Sequence, residues 1–185
     1  MTGPNYIHSE KLVLWLPMRT GARYTHSIFR KAGYKISTEV PTHPIGYGCH
    51  GAYSDYKAVL TVRNPYMRVL SIWAWRNLIS KERVSWDDWM DNHYHPKFSR
   101  FCISKELGSS IKKVDYLVKL EENRDNISVI PSFPSDFDWP ENSYRSKELD
   151  GLDLKSTFCR RHEKKIWRYY KKDFKNFGYE RYSYT

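Results

Sequence analysis

The sequence predicts an α/β domain built on a central, mainly parallel sheet flanked by helices. Three observations carry this reading. Two mostly apolar runs, KLVLWLP at 11–17 and AVLTVR at 58–63, have the unbroken hydrophobicity of strands buried on both faces. Each is followed by a segment of helical periodicity, at 23–33 and at 66–79. A third run, VDYLVKLEEN at 114–123, repeats the passage from strand to helix start. Strands alternating with helices are the pattern of a parallel sheet joined by crossover connections. The length of 185 residues fits a single domain, 1–185, able to bury a core.

In chain order, residues 1–10 read as a loose lead-in. The first strand ends at Pro17. The helix over 23–33 places Ile28, Phe29 and Ala32 on one face and stops at Gly33. Residues 35–40 are strand-like, and the Pro-, Gly- and His-rich stretch 41–53 is a loop by composition. Pro65 ends the second strand and suits an early helical position; Val69, Leu70, Trp73 and Leu78 then give 66–79 its apolar face. SWDDWMDN at 85–92 opens with a Ser cap and early acids, predicting a short helix. A short strand fits 128–131 and a long loop fits 132–150. Finally, 155–177 reads as one basic helix whose buried stripe is Phe158, His162, Ile166, Tyr170, Phe174 and Phe177, stopped by Gly178.

Thirty-one Lys and Arg against 21 Asp and Glu give a net charge of +10, so anions are attracted without being specified. Aromatics reach 16%, well above a usual share. There is no apolar run of membrane-spanning length and no leader-like N-terminus, so neither a membrane span nor a secretory leader is expected. The three cysteines, Cys49, Cys102 and Cys159, are odd in number and widely spaced, which fits neither a disulfide framework nor a Cys-x-x-Cys metal site and suits a reducing compartment. No metal-ligand cluster is visible.

Two segments carry candidate chemistry. A loop between a buried strand and a helix start presents free backbone N–H groups at the positive end of the helix dipole. Arg19, Thr20, Gly21, Ala22, Arg23 and Tyr24 occupy that position. Gly21 permits close backbone approach and Arg19 offers a forked donor. The Walker pattern G-x-x-x-x-G-K-[ST] is absent, which disfavours a nucleoside triphosphatase. Downstream, RNPYMRVLS at 63–71 sets Arg63 and Ser71 around an Asn-Pro break, able to bring guanidinium and hydroxyl to one anion. Alternatively, Arg63 is an ion-pair partner and Ser71 a helix hydroxyl.

Residues 63–71, in the form Arg-[Asp/Asn]-Pro-x-x-Arg-x-x-Ser with Arg68 central, resemble the 3′-phosphate motif of sulfotransferases that use 3′-phosphoadenosine 5′-phosphosulfate (PAPS), in particular the carbohydrate branch acting on heparan sulfate 6-O and 2-O positions. Residues 19–25 are similar to that family's 5′-phosphosulfate loop, 115–123 to the segment after its second motif, and KKDFKNFGY at 171–179 to its ending Asp-x-x-x-Phe-Gly-Tyr. Ala22 and Arg23 depart from the Ser or Thr usual there, so some cofactor hydroxyl contacts are either missing or moved to Thr25 or Ser27. The resemblance implies a P-loop-like three-layer fold, PAPS as sulfuryl donor, 3′,5′-adenosine bisphosphate as spent product, and a hydroxyl-bearing acceptor, an acidic or neutral glycan. It assigns the 5′-phosphosulfate to residues 19–24 and the 3′-phosphate to Arg63 and Ser71.

A base near neutral pH is most often His. The segment GYGCHGAYSDY around His50 resembles the histidine loop of heparan sulfate 6-O-sulfotransferases, which makes His50 the candidate base, with His43 on the same loop as the other choice. Arg19 would stabilise charge on the leaving phosphate. His162 reads as a core or cleft residue. Two other functions stay open: a basic nucleic-acid-binding module, and a sulfotransferase-like fold that only binds glycan. The absence of known base-reading motifs sets nucleic acid aside as an expected partner. The expected location is the cytoplasm of a bacterial or viral host cell, or the Golgi lumen for the catalytic part of a longer chain.

Overall fold

A computed structural model describes residues 5–37, 55–80, 82–94, 102–140 and 153–182. They belong to two compact units, Met1–Arg63 with Leu107–Tyr144 and Asn64–Glu106 with Arg145–Thr185.

The first unit holds a four-stranded sheet in the order β1 (Asn5–Ile7), β2 (Leu12–Trp15), β3 (Lys57–Val62), β4 (Tyr116–Lys119). β2, β3 and β4 are parallel, with Leu14 opposite Val59 and Leu60 opposite Leu117. The apolar runs form these strands because both faces are covered: Ala58, Val59, Leu60, Thr61 and Val62 are all buried. Helix α1 (Ala22–Lys31) packs Ile28 and Phe29 into the core with Leu14, Val59 and Val118, and α5 (Asn123–Ser128) adds Ile127.

The second unit is helical. α2 (Pro65–Ile79) packs against α7 (Arg160–Phe177), and Tyr66, Leu70, Ile166, Tyr170 and Phe174 fill the space with Trp86 and Met90 from α3 (Trp86–Asp88) and the π-helical turn Trp89–His93 that continues it. Much of the aromatic content sits here: Tyr66 meets Phe174 edge-on at 5.1 Å, and Trp86 meets Phe158 edge-on at 5.4 Å. Among the described residues the aromatic side chains are therefore largely core. α4 (Ile103–Leu107) and α6 (Leu154–Thr157) are the remaining α-helices among the described residues.

The mixed α/β architecture with a mostly parallel sheet matches the expectation, and four local readings are corrected. Residues 5–7 are not lead-in but an antiparallel edge strand, held because Asn5, Tyr6 and Ile7 are all buried against β2. In 35–40, the described part forms only the single bridge Ser37–Tyr6. Residues 128–131 are no strand: α5 ends at Ser128, and the chain turns so that Ile130 is buried while Val129 is 68% exposed. The last helix is broken at Phe158-Cys159. The hydroxyls of Ser156 and Thr157 donate to the Asp153 carbonyl, Cys159 turns extended, and α7 begins anew. Its stop at Gly178, φ 65°, is as expected. Ser85 caps α3 as predicted, accepting from the Asp88 N–H.

Candidate anion-binding site

In parallel strands all carboxyl ends lie along one edge, where open α/β sheets bind ligands. At this edge β2 leads into residues 16–21, β3 into Arg63, and β4 into Leu120. The loop 16–21 is held in an unusual shape. Arg19 has φ 67° and Gly21 φ 82°, both left-handed. For a non-glycine such as Arg19 this costs on the order of 1–2 kcal/mol, so the surrounding bonds must hold it there.

Thr20 supplies those bonds. It is fully buried; its Oγ1 donates to the Pro17 carbonyl at 2.7 Å and lies 2.8 Å from Thr61 Oγ1 on β3. Since the single Thr20 proton is used on Pro17, Thr61 donates to Thr20. The Thr20 N–H also turns back to Pro17, at 3.3 Å. Thr20 thus ties the loop to the neighbouring strand, and its hydroxyl points inward. Gly21 is favoured by its positive φ, and a Cβ there would stand 2.5 Å from Leu120 Cδ1, so the end of that side chain would have to shift.

Gly21 caps α1 with no side-chain acceptor, and no acid occupies the first turn. The leading N–H groups and the positive dipole end are therefore not offset by the helix's own side chains. Arg19 is half-buried beside this start, Arg23 is exposed, and Tyr24 is buried with its hydroxyl directed at the Pro140 carbonyl, 3.4 Å away. Ala22 packs against the core. Of the alternative hydroxyls, Thr25 is buried and Ser27 donates to the Tyr24 carbonyl.

The second segment is built differently. Asn64 caps α2 by accepting the Tyr66 N–H at 2.9 Å, with Pro65 at the first helical position. Arg63 is half-buried at the end of β3. Ser71 is 4% exposed, on the buried side of α2. Arg68 is buried, 3.9 Å from Asp173 on α7. Asp173 in turn accepts from the Ile103 and Ser104 N–H groups, at 3.0 and 2.7 Å, and from the Cys102 thiol. Burial first, and Asp173 second, push the Cys102 thiol up to about 12, so it stays protonated and unreactive. The Arg68–Asp173 pair gives the motifs at 63–71 and 171–179 a common structural purpose.

His43 and His50 lie outside the described residues. His162 is fully buried in the second unit, edge-on to Trp86, with Asp91 and Asp87 3.5 and 3.7 Å from its ring nitrogens; burial lowers its pKa. Among the described residues no cluster of His, Cys, Asp or Glu could hold a metal ion, and no helix is long and apolar enough to cross a membrane.

Sequence reading missed Thr61, Leu120 and the role of Asp173. Thr61 had a signal, a lone hydroxyl inside a buried strand. Leu120 had none, because its importance depends on what lies across the sheet edge. Comparisons of this chain with family models, with curated proteins and with solved structures find no match.

Proposed function

We propose that this chain is a PAPS-dependent sulfotransferase acting on a hydroxyl-bearing acceptor, an acidic or neutral glycan. One observation carries the reading: a strained, cationic loop opens onto the glycine-capped start of α1 and is tied through Thr20–Thr61 to the strand that ends in Arg63. Two arginines thus leave adjacent parallel strands along one sheet edge, as a ligand with two separate phosphate-type groups requires. The donor set, guanidinium groups and helix N–H groups with no acid in the first turn, fits oxyanions.

When bound, PAPS supplies the sulfuryl group. The chain's residues do the rest. The N–H groups opening α1, together with Arg19, hold the 5′ end and stabilise negative charge there. Arg63 and Ser71, through the resemblance of 63–71, hold the 3′-phosphate. His50 accepts the acceptor's proton, and positioning provides most of the remaining effect. The P-loop-like fold belongs to this same reading.

Thermal unfolding with 3′,5′-adenosine bisphosphate tests it. A ligand at 100 times its Kd stabilises by about 2.7 kcal/mol. At this size that is a rise of about 5–10 °C, with AMP giving far less. Equal responses to both nucleotides would overturn the cofactor assignment. A labelled-sulfate transfer assay across glycans, phenols and peptides tests catalysis. His50→Ala should abolish transfer and keep bisphosphate binding; near-normal turnover would remove His50 from the mechanism.

A further inference from the structure

Helix α7 has eight exposed positions. Arg160, Arg161, Lys164 and Arg168 occupy its first half, Lys171, Lys172 and Lys175 its second, and only Asn176 is uncharged. The helix's two acids, Glu163 and Asp173, are both buried. At 3.6 residues per turn the seven cations share an arc of about 120° and a length of about 22 Å. Arg161 pairs with Asp91 at 2.6 Å. Among the described residues no ion pair is found for the other six.

An ordinary solvated helix face mixes signs, because opposite charges three and four residues apart stabilise it and like charges do the reverse. Here the i,i+4 pairs 160/164, 164/168, 168/172 and 171/175 are all like-charged. The helix carries this repulsion while Tyr170, Phe174 and Phe177 anchor its other face. A one-signed stripe of this kind is an anion-binding surface.

The chemistry of the exposed positions narrows the partner. None is aromatic, so there is no stacking platform for single-stranded bases. None is apolar, so nothing would insert into a bilayer. Recognition is by charge alone, over a stripe that follows the helix axis, with one cation per about 3.7 Å of its length. A duplex carries one phosphate per about 3.4 Å of each strand. We infer that the exposed face of α7 docks along the sugar-phosphate backbone of duplex nucleic acid, independently of base sequence. This surface needs no base-reading motif, so the absence of such motifs does not count against it. The inference stands apart from the cofactor reading.

The test is fluorescence anisotropy of the full chain with two 20-base-pair duplexes of unrelated sequence, titrated with salt. With about five phosphates contacted, log affinity should fall against log salt with a slope near about −4.5, a loss of about 500-fold between 50 and 200 mM. The two duplexes should bind within about twofold of each other. Neutralising the stripe (Lys164→Gln, Arg168→Gln, Lys171→Gln and Lys175→Gln together) should reduce the slope to about −1 and the low-salt affinity by about 100-fold or more. Replacing the three lysines of that set by Arg should preserve binding, which separates lost charge from lost folding. Neutralising four exposed cations elsewhere (Lys35, Arg83, Lys105 and Lys112, each to Gln) should leave the slope nearly intact. Equal losses from both neutralised variants would overturn the inference in favour of diffuse net charge. So would capture of heparin fragments or phosphatidylserine vesicles in preference to duplex.

Discussion

Helices α1 and α2 each follow a parallel strand, yet they open in opposite ways. α2 is closed: Asn64 caps it, Pro65 removes one free donor, and Arg68 and Ser71 are buried within its first two turns. α1 is open, with a glycine cap, no acid in its first turn, and two left-handed residues just ahead of it. A helix start that only needs stability takes the first form, since a side-chain cap satisfies orphan N–H groups. A start with a glycine cap, no acid in its first turn and an arginine held in a left-handed conformation just ahead of it is the form that the proposed anion site calls for. The contrast teaches that, of two helix starts that follow parallel strands, only that of α1 lacks a side-chain cap, which is why the proposed anion site is placed there.

The contrast can be broken from the closed side first. Arg68→Ala removes the ion-pair partner of Asp173 and leaves a buried carboxylate, which should destabilise by about 3 kcal/mol. That is a fall of about 6–12 °C in Tm. A change of less than 1 °C would show that the pair does not hold α2 to α7.

On the open side the effect should appear in binding. Arg19→Gly removes a charged donor and relieves the left-handed strain. Affinity for 3′,5′-adenosine bisphosphate should fall about 10- to 100-fold, the worth of a charge-assisted hydrogen bond, while Tm holds or rises slightly. Calorimetric titration beside a melting curve reads both. Loss of stability without loss of affinity would reverse the assignment of the two helix starts.

Gly21→Ala adds a methyl group against Leu120 at a positive φ, and should cost about 1–3 kcal/mol by chemical denaturation. The double variant Gly21→Ala, Leu120→Ala should lose less stability than the sum of the two single losses, because removing the Leu120 methyls removes the clash. Strict additivity would mean the loop does not press on Leu120, the residue that follows β4. The smallest expected change is Asn64→Ala, about 1 kcal/mol for a lost cap, with nucleotide affinity unaltered.

The strands and main helices were legible because an unbroken apolar run or an apolar stripe needs only local pattern. AVLTVR became β3 within one residue at each end, and the stripe from Phe158 to Phe177 is buried throughout. The failures also have local causes. Asn5–Ile7 shows no alternation, and its burial comes from pairing with β2. The break at Cys159 is set by hydroxyls that reach back to Asp153, a competition that periodicity does not register. In the site, Arg19, Thr20 and Gly21 were legible as a strand-to-helix loop, whereas the tie from the Thr20 hydroxyl to Thr61 was not.

What the sequence determined by itself was the three parallel strands with the helices that follow them and the excess of positive charge, both properties of neighbouring residues. What tertiary structure decided was the direction in which the polar groups point. Asp173 turns inward to Arg68 and the start of α4, Glu163 is buried, and the cations of α7 are left outside without their acids. Thr20 faces Thr61, and the first turn of α1 keeps its donors clear of acids. The physical reason is that a polar group goes where its partner is, and partners distant in sequence meet only when the chain has packed.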